Sequence, residues 1–252
     1  MAEISKYATV ERGAKLASDV KVGPFSYIGS QVRIGPGCVI HNNVTITGKT
    51  TIGERNMFFP LSVVGTAQGK SGEGELIVGE GNVIREHVTV CGGHPQPTRI
   101  GTDNLIMIGC QIGGGCNIGN HGIFVNGTHI GQGATIEDYV RTSAFILIEP
   151  NVTIGAYTFT LGYAEIDRDA PPFAMVQGSP FRVRGINTEN LKRCGFGEDE
   201  IRALKSAMRE LYNGSGDTPD PVILARLLED SQPSIRRLAE AVKVGQARRN
   251  PA

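Results

Sequence analysis

The sequence predicts an all-β left-handed parallel β-helix of hexapeptide repeats with a C-terminal α-helical domain, and three observations carry that prediction. Of 252 residues, 34 are glycine, about twice the usual share of roughly 7%. They are interleaved with Val, Ile and Leu, and 40% of the chain is apolar, which excludes both collagen and a disordered linker. An apolar residue recurs at every sixth position through the first two thirds of the chain. After Ile166 that beat stops and amphipathic helical patterns take over.

The beat runs without a slip from Ile4, Val10, Leu16, Val22 and Ile28 to Ile52, Phe58 and Val64. It resumes at Val78, Ile84 and Val90, and again from Ile100 and Ile106 through Ile112, Ile118, Phe124, Ile130 and Ile136 to Ile166. A period of six suits neither a helix nor simple strand alternation. It suits a prism in which each hexad is a short strand plus a turn, and three hexads make one coil. The marker points inward and the residue four places on, as in Ala14, Val20, Ser26 and Val32, fills the corner. Glycine, which often follows the marker, is expected to supply backbone freedom at the turn. The left hand is taken from the repeat type, an exception to the right-handed crossover rule. Some ten coils at about 4.8 Å each give a prism about 50 Å long.

Two segments break the beat, 66–76 (TAQGKSGEGEL) and 91–99 (CGGHPQPTR). They must loop out of the wall; in solenoids insertions gather on a binding face, and a tolerated surface insertion explains them equally well. Beyond Ile166, Ala170-Pro171-Pro172 and Gln177-Gly178-Ser179-Pro180 are turn chemistry. A short helix is expected over Asn187–Arg193, capped by Asn187 or Thr188, with further helices over 198–212, 221–229 and 233–244. The chain therefore divides into a β-helix over 1–180 and a helical cap over 181–252.

Charge excludes some functions. Lys and Arg number 25 and Asp and Glu 25, so no long-range field favours nucleic acid or a membrane surface. The start lacks an apolar signal core, and no run reaches the roughly 18 apolar residues needed to span a bilayer. Five cysteines at irregular spacing read as reduced thiols of a cytoplasmic protein. Cys38, Cys110 and Cys116 fall at the small inward position and read as core filling. No histidine pair has a zinc spacing, so neither metal nor other cofactor is expected.

The segment Ala170–Phe196 (APPFAMVQGSPFRVRGINTENLKRCGF) resembles the acyl-carrier-protein-dependent UDP-N-acetylglucosamine O-acyltransferases of lipid A biosynthesis. So do Ile100-Gly101-Thr102-Asp103-Asn104-Leu105-Ile106-Met107-Ile108 and Val83-Ile84-Arg85-Glu86. The resemblance covers nearly the whole chain, and its most specific part is Gly185 to Phe196. It implies a cytoplasmic homotrimer with active sites in clefts between neighbouring prisms. There a histidine acts as general base on the sugar 3-hydroxyl, an aspartate orients it, and a backbone amide from the next coil holds the oxyanion.

This chain departs from that pattern at the base. The resemblance places the catalytic histidine at Gly114 and its aspartate at Gly115, and a glycine cannot be a base. Other cleft histidines fall at Gln111, Gly133, Glu149 and Cys91; the oxyanion amide falls at Gln132, where an N–H survives. His129 stacks one coil beyond Gln111 but lies about 11 Å from Gly114 by coil and residue spacing, and a solvated turn histidine is the plainer reading. Glu149 is a weaker substitute, useful only if burial raised its pKa. His121 belongs to a different face. His94, in the second insertion, could project into a cleft from a neighbouring subunit.

The binding positions are better kept. Asn187, Glu189 and Arg193 match residues that contact the nucleotide sugar or its phosphates, for which an arginine is apt; helix capping and surface charge, the alternative, explain Asn187 well and Arg193 poorly. Gln68 matches a substrate-contacting glutamine, although Gly69 replaces the aspartate that follows it. Gly162 matches a glycine at the end of the acyl groove, and an ordinary turn glycine explains it equally well. Two functions follow from these expectations. One is a homologue that binds a UDP-N-acetylglucosamine-like nucleotide sugar, acyl carrier protein or both without conventional catalysis. The other is an active acyltransferase with a relocated base, acting on a hydroxyl or amine acceptor.

Overall fold

The computed structural model describes residues 2–67, 74–212 and 218–249. Its hexads stack into a parallel β-helix of about nine turns with three walls. The first wall has eleven strands, from Glu3–Ile4 to Arg182–Ile186; the second has nine, from Thr9–Val10 to Glu165–Ile166; the third has eight, from Lys15–Leu16 to Thr153–Ile154. Each marker lies over the marker one coil earlier, as in Ile40 on Val22 and Ile130 on Ile112. The markers form the core, with Ile28, Ile46, Phe58, Ile84, Ile106 and Phe124 fully buried. Each such side chain contributes roughly 1.5–3 kcal/mol on leaving water.

The turn chemistry differs from the expectation in one respect. The left-handed backbone position is three residues after the marker, and it holds Phe25, Asn43, Tyr139, Phe145, Asn151 and Tyr157 as readily as glycine. The glycine directly after the marker answers a different need. A Cβ on Gly35 would stand 2.8 Å from the Gly53 carbonyl oxygen, and one on Gly53 only 2.6 Å from that of Gly79. Those glycines exist because successive coils approach too closely for a side chain.

At one corner the small position is taken by asparagines. Asn56, Asn82 and Asn104 are buried and form a ladder up the prism. Asn82 donates from its backbone and side-chain nitrogens to Asn56 Oδ1 at 2.9 and 3.0 Å; Asn104 does the same to Asn82 Oδ1 at 3.0 Å. Cys38, Cys110 and Cys116 are buried in the core. Burial pushes the Cys110 and Cys116 thiols up to about 11.

The ends of the prism differ. At the first coil Ile4 is 44% exposed. At the other end Ala174–Gln177 extends the first wall and turns back into the antiparallel strand Arg182–Ile186, which ends the sheet edge under the helices. That strand lies past residue 180, so the helices begin at α1 (Thr188–Arg193). They continue as α2 (Glu198–Tyr212), α3 (Pro221–Leu228) and α4 (Pro233–Arg249), the last five residues longer than its apolar pattern. Asp220 caps α3 by accepting from Val222 and Ile223 N–H at 2.8 and 3.1 Å. Leu204, Leu211, Leu227 and Leu238 close the helical core. Arg237 and Arg248 tie α4 to Glu137 and Asp169 of the prism at 3.0 and 3.2 Å. Among the described residues no helix is long and apolar enough to cross a membrane.

Candidate functional site

Both insertions leave the prism at one corner, the corner that follows the second wall. Val64 and Val90, the last markers before each, are paired neighbours in that wall. The insertions also pair with each other: Thr66 lies beside Cys91 and Ala67 beside Gly92. Further out, Glu75 and Gly93 exchange two backbone hydrogen bonds, of 2.9 and 3.1 Å. One coil on, the same corner is Ile112-Gly113-Gly114-Gly115, and the next is Ile130-Gly131-Gln132-Gly133.

The second insertion folds down over those glycines. A Cβ on Gly93 would run into the backbone nitrogen of Gly115. Thr98, fully buried, fastens the loop: its hydroxyl donates to Cys91 O at 2.7 Å and accepts from Gly115 N–H at 2.9 Å. The result is a groove of about 450 Å³ lined by His94, Gly114, Gly115, Gln132 and Asn151, among others. A second groove of about 430 Å³ lies on the other side of the loop, between His94 and the Lys49–Glu75 ion pair. Ala67 and Gly74 flank it; Gln68 lies outside the described residues.

The groove offers a hydrogen-bond donor. At the corner after the third wall, the amide two residues past the marker is capped by a side chain. Thr102 N–H reaches Asn120 Oδ1 at 2.8 Å, Asn120 N–H reaches Asp138 Oδ1 at 2.7 Å, and Ala156 N–H reaches Glu137 Oε2 at 2.9 Å. Gln132 stands at the same place in its hexad, and its amide donates to no acceptor among the described residues. An uncapped backbone N–H in a groove can stabilise a developing oxyanion.

The remaining expected residues are dispersed. His129 pairs with Gln111 on the flat outer face of the second wall, is exposed and does not line the groove. Glu149 is half-buried at the groove's corner, beyond its lining residues. His121 lies at the corner after the third wall, stacked on Tyr139 with centroids 4.7 Å apart. Asn187 is the N-cap of α1: its Oδ1 accepts from Asn190 N–H at 3.4 Å and its Nδ2 donates to Tyr157 O at 2.8 Å. Glu189 and Arg193 are exposed on α1, without a salt bridge among the described residues. Because α1 packs at the corner of Tyr139 and Tyr157, one chain does not bring these residues to the Gly114 groove. Gly162 sits at the first wall's corner, where a Cβ would come within 3.2 Å of the Ser143 hydroxyl and meet the nearest backbone atom, Ala144 O, at an ordinary 3.8 Å. Neither φ nor backbone crowding requires glycine there.

The helical end matches the family profile described as UDP N-acetylglucosamine O-acyltransferase, domain 2, over residues 169–250, and residues 4–48 match the bacterial transferase hexapeptide profile. The acyl-[acyl-carrier-protein]–UDP-N-acetylglucosamine O-acyltransferase of Saccharophagus degradans is 41% identical over 219 residues, 84% of this chain and 85% of that protein. The chain belongs to the UDP-N-acetylglucosamine O-acyltransferase family. Solved members share its whole architecture. The Francisella novicida UDP-N-acetylglucosamine acyltransferase superposes with a TM-score of 0.90 at 28% identity, covering 96% of this chain and 92% of that one. LpxA from Acinetobacter baumannii superposes at 0.89 with 30% identity, covering 96% of both. Within an acyltransferase family, a corner without an acidic or basic side chain at 113–115 is the feature that needs a chemical account.

His94 is the residue that reading by period undervalues. The insertion breaks the beat, so the hexad register does not say where its side chains go. Counting does help: Val64, Val90 and Ile112 are markers of the same wall, so the loop after Val90 and Gly114 must share a corner.

Proposed function

We propose that the chain works in lipid A synthesis by binding a UDP-N-acetylglucosamine-like nucleotide sugar, with acyl carrier protein as the second partner. The cleft is shared between neighbouring copies of a cytoplasmic homotrimer. The carrying observation is the groove at the second wall's corner, which combines the second insertion, the Gln132 amide and backbone glycines. In one chain, Arg193 and Glu189 stand at a different corner, so a cleft that uses both must join two copies. Arg193 then meets the diphosphate as a bidentate cation, and Glu189 accepts from sugar or ribose hydroxyls. Asn187 holds α1 in place, since its amide is already engaged within the fold.

Two further features favour this reading. The outer face of the first wall is apolar, with Val39, Met57, Val83, Leu105, Ile123 and Phe159 half-buried in a row. Beside it Phe25, Leu61, Phe145 and Tyr163 are 50–81% exposed. An apolar stripe of that length, broken at Arg141 between Ile123 and Phe159, suits burial against another copy. Near the helical cap, Arg184, Lys205 and Arg209 line a groove of about 460 Å³ with Met175 and Met208; that pairing suits a phosphate and the apolar arm attached to it. Gly162 leaves open the end of an acyl groove.

Transfer through a histidine at position 114 is absent from this chain. Titration calorimetry with UDP-N-acetylglucosamine tests the reading: the wild-type assembly binds, and Arg193→Ala weakens binding by roughly tenfold or more, the loss of a charge-assisted bond of about 1.5–3 kcal/mol. A wild-type assembly that takes up no nucleotide sugar overturns it. An observation within the groove favours active transfer with a relocated base.

A further inference from the structure

We propose that the second insertion supplies the general base, and that His94 is that base. The proposal rests on the reading that this cleft binds the nucleotide sugar. His94 and the Gln132 amide line one groove, and the amide is uncapped among the described residues. The glycines explain how the loop comes to lie there. Gly93 rests on the Gly115 backbone with no room for a Cβ, and Gly113 lies against Gln132 with the same restriction, 2.7 Å from its nitrogen. A side chain at Gly93 would lift the loop, whereas at Gly115 a φ of +74° rather than crowding favours glycine, since a Cβ there meets Gln96 O at an ordinary 3.7 Å. The seat of Gly93 on the Gly115 backbone thus holds the loop that carries His94 against this corner. Thr98 locks it through Cys91 and Gly115.

The chemistry balances without further reagents. The neutral imidazole of His94 takes the proton of the acceptor hydroxyl as that oxygen attacks the carbonyl carbon of the acyl thioester. The carbonyl electron pair moves to oxygen, where the Gln132 N–H holds it. Collapse restores the carbonyl and breaks the carbon–sulfur bond, and the departing thiolate takes the proton back from the imidazolium. His129 and Glu149 do not line this groove, so they cannot perform the step there.

The test uses the full-length assembly, UDP-N-acetylglucosamine and its 3-amino analogue as acceptors, and a 3-hydroxyacyl carrier protein as donor. His94→Ala should lower kcat on the order of 10²- to 10⁴-fold and remove the acidic limb of the pH–rate profile. Nucleotide-sugar affinity should stay within about threefold, and His121→Ala, at the other corner, should keep wild-type rates. If His94→Ala turns over at the wild-type rate while His129→Ala or Glu149→Ala abolishes turnover, the assignment is overturned. It is equally overturned if the wild type binds UDP-N-acetylglucosamine but transfers acyl to neither acceptor, an outcome that leaves the binding function standing. No nucleotide-sugar binding at all removes the reading beneath it.

Discussion

At the scale of single residues, polar groups inside the prism are placed as strictly as apolar ones. Asn82 both donates to Asn56 and accepts from Asn104, so its truncation leaves buried donors and acceptors on two neighbours. Asn82→Ala should therefore cost about 2–4 kcal/mol, more than the roughly 1 kcal/mol of one average hydrogen bond. Urea unfolding at constant m-value would measure it. The core thiols make a second residue-level expectation. Cys110 and Cys116 remain protonated up to about 11 in the folded chain, whereas a free thiol titrates near 8.5. Their contribution to stability is full below about pH 8.5 and is lost as pH rises toward about 11, because only the unfolded chain gives up those protons first. Thiol-reagent kinetics should show both reacting only on unfolding.

At the scale of elements, the hexad period made the walls legible, because a repeat of six with inward markers has one geometric solution. The helices were legible for similar reasons: Asp220 before Pro221 and the apolar spacing of α2 are local signals. The candidate site was only partly legible. Insertions carry no period, so neither the pairing of Glu75 with Gly93 nor the fold of His94 over Gly115 follows from residue spacing. The marker glycines were legible as structural but for the wrong cause, since close coil contact, seen at Gly35 and Gly53, governs them rather than left-handed φ. The second insertion can be tested as an element through its anchor. Thr98→Val removes the buried acceptor of the Gly115 amide and should lower stability by about 1–3 kcal/mol. It should also reduce acyl transfer by loosening the loop that carries His94. Thermal unfolding alongside the transfer assay would separate the two effects.

At the scale of the whole molecule, a single chain leaves the groove and α1 at separate corners and leaves an apolar wall uncovered. Arg141 interrupts that wall between Ile123 and Phe159, and its buried Nε has no hydrogen-bond partner among the described residues. Leu105→Asp, on the same face, should dissociate the assembly, because an unpaired carboxylate in an apolar interface is strongly disfavoured. Sedimentation velocity would register the change, and nucleotide-sugar binding should fall with it. The most direct measurement mixes two variants that each disable one side of the cleft: Arg193→Ala at α1 and Asn151→Trp in the groove. After co-refolding, mixed assemblies should recover UDP-N-acetylglucosamine binding that neither variant shows alone, since some clefts then unite two intact sides. Mixed assemblies as inert as their parents would contradict a cleft shared between copies.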